Sequence, residues 1–70
     1  MNGAVVWLMV DGSLKKCRVS EQATGIFLMH ESALQQARAI NNQRLIDSVV
    51  GWRTDFAAYI VAIKEYELVE

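Results

Sequence analysis

The side chains of this chain that could do chemistry are few and do not converge. Cys17 is the only cysteine and His30 the only histidine, which leaves too few soft ligands for a structural zinc site. A nucleophilic thiol needs a nearby base that lowers its pKa. We therefore expect Cys17 to be a buried inert thiol and His30 to be structural or idle. The sequence predicts no catalytic site, no cofactor and no metal site, so we expect a protein that is not an enzyme.

Trp7, Lys16 and Arg18 form the first candidate binding group, because a predicted β-hairpin places them on one face. An indole beside cations can stack on a nucleobase or anchor a protein partner. In the simpler interpretation, the lysine and arginine stems only cover the ring.

The second candidate group lies in the C-terminal third, where apolar and aromatic residues recur at alternating steps of four and three. These residues are Leu45, Val49, Trp52, Phe56, Tyr59, Ile63 and Tyr66. The spacing predicts one apolar arc of an α-helix, which must be buried against the rest of the chain or a second copy of it. We expect Trp52, Phe56 and Tyr59 to take part in binding a partner.

The N-terminal third is typical of a β-hairpin. A β-branched and aromatic run over Val5 to Val10 and a second run over Leu14 to Ser20 flank Asp11-Gly12, the dipeptide favoured in two-residue hairpin turns. Counting outward pairs Val10 with Ser13 and Val5 with Arg18. Alternation then gives a core face of Ala4, Val6, Leu8, Val10, Cys17 and Val19. The opposite face carries Val5, Trp7, Met9 and Leu14 with the two cations Lys16 and Arg18.

The middle of the chain is predicted as a loop over residues 21–25, a short strand over Ile26 to Met29, and a helix from Ala33 to Asn41. A helix start at Ile26 is the alternative, because a short apolar run does not separate the two. Ser32 and Gln35 have capping-box spacing, and His30 comes just before this helix. Asn41-Asn42 is typical of a corner, since asparagine both ends and caps helices.

The last third is predicted as a second helix from about Gln43 to Tyr66. A β-hairpin over 45–66 is the alternative, which would give a four- to five-stranded antiparallel sheet with one helix. A hybrid has a strand near Ile46 to Val50 and a helix capped by Thr54. The helix is favoured because residues 56–63 are apolar on both faces of a strand. The expected fold is α+β: an N-terminal hairpin, a third short strand and two helices, the second long and amphipathic.

Composition favours self-association of a single domain over residues 1–70. Such a small domain is marginally stable without disulfides, metals or partners, yet this one is 53% hydrophobic with a mean hydropathy of +0.16. Net charge is −1, which gives no general attraction to nucleic acid or membranes. No signal peptide or membrane span is predicted, and we expect a cytoplasmic homodimer.

These observations predict a non-enzymatic protein–protein interaction module, a small inhibitor or adaptor, with no small-molecule substrate. The alternative is a small nucleic-acid-binding regulator that uses Lys15, Lys16 and Arg18 on the basic second strand. In its size, its hairpin followed by a helix and its lack of catalytic motifs, the chain is similar to small phage- or mobile-element-encoded inhibitors, anti-CRISPR proteins among them. No motif is shared, so the likeness gives no residue a role.

Overall fold

The three strands form one antiparallel sheet that two helices cover on one face. The computed structural model describes residues 1–69. Its elements in chain order are β1 (Val5–Val10), β2 (Ser13–Val19), α1 (Glu21–Ala39), α2 (Gln43–Ala62) and β3 (Tyr66–Leu68). The strand order is β1-β2-β3. The predicted α+β class is confirmed, and the alternative sheet of four to five strands with one helix is wrong.

The N-terminal hairpin has the predicted register, from Val5 opposite Arg18 to Val10 opposite Ser13. Its two turn residues, Asp11 and Gly12, have φ values of 51° and 83°. Positive φ at both central residues matches the right-handed twist of the strands and defines a type I′ turn. The local turn chemistry therefore fixes which side chains face the core.

The third strand was predicted in the wrong place. Ile26 to Met29 lie inside α1, and the strand that joins the sheet is Tyr66–Leu68, which pairs with β2. It follows a tight helix ending, in which Lys64 has a φ of 57°. The Glu65 N–H donates to Ile60 and the Lys64 N–H to Val61, the two bonds of a Schellman motif. This ending stops α2 at Ala62, short of the predicted Tyr66, and returns the chain to the sheet.

Helix α1 begins much earlier than predicted. The Ser20 side chain accepts a hydrogen bond from the Ala23 N–H at 3.0 Å, so Ser20 is the N-cap and the Ser32–Gln35 capping box is wrong. The predicted loop over 21–25 is the first turn of the helix. His30 lies in the middle of α1, not before it.

The corner between the helices is as predicted. Asn41 has a φ of 56° and ends α1 in a second Schellman motif, since the Asn42 N–H donates to Ala37 and the Asn41 N–H to Arg38. The Asn42 side chain then caps α2 by accepting from the Leu45 N–H at 3.1 Å. Two short polar residues therefore end one helix and begin the next.

The core lies between the sheet and the helices. Its buried cluster is Leu8, Val10, Cys17, Val19, Ala23, Phe27 and Ile60. The predicted core face of the hairpin is confirmed for Leu8, Val10, Cys17 and Val19, with Val6 partly buried beside the cluster. Ala4, also predicted on this face, is exposed. The outer face of the hairpin, which carries Trp7, lies opposite the helices.

The predicted apolar arc lies on α2 from Leu45 to Tyr59, whereas Ile63 is the C-cap of the helix and Tyr66 lies in β3. The side of α2 that faces the core is not the centre of this arc. Val49 and Ile60 are buried at 1% and 3% exposure, whereas Trp52 and Tyr59 are 51% and 57% exposed. On a helical projection the buried direction is about 50° away from the centre of the predicted arc. The aromatic side of α2 therefore points to solvent.

Candidate protein-interaction surfaces

Three large apolar side chains form an exposed row on the outer face of the hairpin. Trp7, Met9 and Leu14 are each more than half exposed, and we call these three residues the hairpin patch. Their spacing follows from the register, since Trp7 and Met9 alternate on β1 and Leu14 lies opposite Met9. The helices pack on the other face of the sheet, and this row meets α2 only across a cleft.

The cations near Trp7 are brought together only in part. The Lys16 ammonium lies 5.8 Å from the centre of the indole ring, within the range of a cation–π contact. Arg18 is half-buried and donates to the Gly3 carbonyl at 2.9 Å, so its guanidinium is committed to the backbone. Lys15 is partly buried on the core face of β2. The three cations of the second strand therefore do not form one basic surface.

A groove runs along the free edge of β1, between the strand and the helices. It consists of two adjoining clefts of about 400 and 250 Å³, which share Phe27 and Arg53. The first lies between the hairpin patch and Thr54, Ala57 and Ala58 of α2. The second lies between Val5 and Val6 of the strand and Leu28 and Glu31 of α1. We call these two clefts the edge groove. Sequence reasoning missed it, because it exists only once β1 and both helices are assembled.

The second exposed apolar surface lies along α2 and its C-cap residue, Ile63. Trp52, Tyr59 and Ile63 are 51%, 57% and 40% exposed, and we call these three residues the helix ridge. Ala57 and Ala58, which line the edge groove, lie on the other side of α2 by the helical period. The chain therefore presents two separate apolar surfaces.

Phe56, the third residue predicted to bind a partner, packs against the core of this chain. Its ring is partly buried and lies 5.0 Å from Phe27 in an edge-to-face contact, and 6.5 Å from Tyr59 in a stacked one. It packs on the core cluster and supports Tyr59 from below. Phe56 thus holds the helix ridge in place, while Trp52 and Tyr59 form its exposed surface.

Several exposed apolar residues of α1 were missed as surface residues. Leu28 and Met29 are 64% and 65% exposed, although the run from Ile26 to Met29 was predicted to be a buried strand. In a helix only one residue of four consecutive positions points directly inward, and here that residue is Phe27. The signal was available in the helical spacing of Ala23, Phe27, Leu34 and Ala37, all of which are buried.

Burial shapes the surroundings of Cys17 and His30 in different ways. Cys17 is fully buried, and burial raises the pKa of its thiol above the usual value, so the thiol stays protonated and shielded. The Nδ1 atom of His30 is buried without a hydrogen-bond partner among residues 1–69, and the ring lies edge-on to Phe56 at 6.0 Å. Within the described residues, no group of three His, Cys, Asp or Glu side chains is placed to hold a metal ion.

The carboxylate of Glu67, on β3, lies beside a positive charge. The α-ammonium of Met1 donates to it and forms an ion pair. That hydrogen bond, and then the charge itself, lower the pKa of Glu67 below the ordinary glutamate range. The pair ties the segment before β1 to the far edge of the sheet.

No helix among residues 1–69 combines the length and apolar character needed to cross a bilayer. Comparisons with protein-family models, curated proteins and solved structures find no match for this chain.

Proposed function

We propose that this protein is a non-enzymatic protein-interaction module, a small inhibitor or adaptor that acts as a homodimer in the cytoplasm. The observation that carries the proposal is the pair of separate apolar surfaces, the hairpin patch with its edge groove and the helix ridge. Contiguous exposed apolar surface on a small domain usually marks a site of contact with another chain. Two such surfaces let one join copies of the chain while the other holds a different protein.

We assign the binding of the target protein to the helix ridge. Trp and Tyr are the side chains most often found at the energetic centre of protein interfaces, because they bury much area with few rotatable bonds. Trp52 and Tyr59 are two helical turns apart on one side of α2, and stacking on Phe56 orients Tyr59. An apolar groove or helix on a partner protein is the chemistry that fits this ridge.

A capture experiment with three baits tests whether the helix ridge binds a partner protein. The full chain, a Trp52→Ser variant and a Val50→Ser variant serve as bait in lysate from the cell that makes the protein. Val50 is a matched control, because it is 47% exposed on another side of the same helix. We expect a protein that wild type and Val50→Ser retain and that Trp52→Ser loses by about tenfold or more. Equal retention by all three baits contradicts the proposal.

Binding to nucleic acid is the competing function, and the contact between Lys16 and Trp7 is the observation that favours it. A base could stack on the exposed indole beside that cation. Nuclease treatment of the lysate and a salt titration of DNA and RNA binding separate the two functions. Affinity for nucleic acid that falls steeply with salt supports the regulator, whereas capture that survives nuclease supports the protein-interaction module.

A further inference from the structure

The free edge of β1 has backbone groups that the fold leaves without a strand partner. In a two-residue hairpin the residues beside the turn, Val10 and Ser13, form a hydrogen-bonded pair, and bonded and non-bonded pairs then alternate. Val6, Leu8 and Val10 therefore bond to β2. Val5, Trp7 and Met9 direct their N–H and C=O groups away from it. Because β1 is an edge strand, no strand among residues 1–69 takes these groups.

An extended chain is the ligand that such an edge accepts. A strand added to a sheet edge gains main-chain hydrogen bonds from the edge and side-chain contacts from the surface beside it. The edge groove provides that surface along the length of β1, from Met9 at one end to Val5 at the other. Its walls include the exposed apolar side chains of Trp7, Met9 and Leu28.

We infer that the occupant is a second copy of this chain, whose β1 pairs antiparallel with β1 about a two-fold axis at Trp7. This inference rests on the self-association included in the proposed function. In this register Trp7 lies opposite its own copy and Val5 lies opposite Met9. It is the register in which all three outward-pointing residues pair with one another, so each pair exchanges two backbone hydrogen bonds. The result is a continuous sheet of six strands, closed by symmetry.

The sequence of β1 supports pairing with itself. All six residues are apolar, in the order VVWLMV, so the strand has none of the lysine, proline or bulge features that normally keep an exposed edge from pairing. A two-fold axis places the two Trp7 side chains directly across from each other on the outer face. Aromatic cross-strand pairs stabilise a sheet beyond the backbone bonds alone.

The charges in the edge groove are also compatible with a second copy. Glu31 lines the cleft at the Val5 end, and Arg53 lines both clefts. The two-fold places the Val5 end of one copy beside the Met9 end of the other. Because Arg53 lines both clefts and Glu31 lines the one at the Val5 end, each copy brings both signs of charge to the groove, and no excess of one sign opposes pairing.

Amide hydrogen exchange on the full chain, followed by NMR at low and high protein concentration, tests the inference alongside sedimentation. We expect the Val6, Leu8 and Val10 amides to be protected at every concentration. The Val5, Trp7 and Met9 amides should become protected as the dimer forms, with exchange slowed about tenfold when nine-tenths of the chains are dimeric. A dimer in which these three amides still exchange freely overturns β1 pairing but leaves the proposed self-association intact. If the protein is a monomer at all concentrations, the inference is overturned. The capture experiment with the Trp52→Ser bait still tests the proposed function separately.

Two matched substitutions distinguish pairing of the β1 edges from non-specific hydrophobic association of the hairpin patch. Trp7→Lys places two cations across the axis, and we expect the dimer to weaken by about a hundredfold or more. Leu14→Lys changes an equally exposed side chain that also lines the edge groove. It lies on the central strand, outside the backbone pairing, and the change should weaken the dimer only a few-fold. Circular dichroism checks the fold of both variants, and Met9→Lys replaces Trp7→Lys if the latter does not fold. Equal weakening by the two lysines, or no weakening by either, overturns the inference.

Discussion

Strands β1 and β3 are both edges of the same sheet, but only one of them carries charge. β3 is three residues long and holds Glu67, whose carboxylate is paired with the α-ammonium of Met1. β1 is six residues long, wholly apolar and bordered by the edge groove. A short charged edge discourages pairing with another chain, whereas a long apolar edge favours it. The two edges of one sheet therefore differ in their capacity for pairing, and the proposed dimer uses β1.

The largest expected difference between the two edge strands is in stability. Leu8 on β1 is 1% exposed in the core cluster, while Leu68 on β3 is 58% exposed. We expect Leu8→Ala to lower the free energy of unfolding by about 3 kcal/mol, because it leaves a cavity beneath the sheet. Leu68→Ala should change it by less than about 0.5 kcal/mol. Urea unfolding of both variants at one low protein concentration measures the difference, and similar losses would mean that β3 contributes to the core as much as β1.

A smaller effect is expected at the turn that positions β3. Lys64 has a φ of 57°, a left-handed conformation that costs a residue with a Cβ atom about 1 kcal/mol and costs glycine little. Lys64→Gly should therefore raise the free energy of unfolding by up to about 1 kcal/mol, since glycine is the usual residue at this position of a Schellman motif. Lys64→Ala is the control and should give no gain. Thermal unfolding measures both, and a glycine variant less stable than wild type would contradict this account of the turn.

The smallest expected effect is the pH dependence of the Glu67 ion pair. Because the pKa of Glu67 is lower in the folded chain than in the unfolded one, the pair stabilises the fold above the unfolded pKa. That contribution is lost as the pH falls through the folded pKa. The carboxylate is exposed to solvent, so the change in stability is small. An NMR titration of the Glu67 side chain should place its pKa below the ordinary glutamate range. A value within or above that range would contradict the ion pair at the β3 edge.

The parts of the fold that were predicted correctly are those set by short-range chemistry. Asp11-Gly12 requires a type I′ turn, and counting from it gives the whole register of the hairpin. Asn41 and Asn42 likewise act on their nearest neighbours to end one helix and begin the next.

The errors arise where distant contacts decide the structure. Ile26 to Met29 is apolar in every position, which suits a buried strand as well as a helix with one inward residue, and only Ser20 capping and the packing of Phe27 settle it. No local sequence pattern predicts β3, because its three residues are placed by the Lys64 turn and by pairing with β2. The candidate surface residues Trp7, Trp52 and Tyr59 were found from patterning, but the edge groove depends on three elements that meet only in the folded chain.

Disulfide trapping tests the central claim, pairing of β1 with itself, most directly. In the proposed register the two copies of residue 7 form a hydrogen-bonded pair with Cα atoms about 5.5 Å apart, a separation that a disulfide spans. A Trp7→Cys variant should therefore form a covalent dimer under mild oxidation much faster than a Leu14→Cys variant of similar exposure. The native Cys17 does not interfere because it is fully buried. Rapid trapping at position 7 alone is the predicted result, and equal rates at the two positions would contradict the claim.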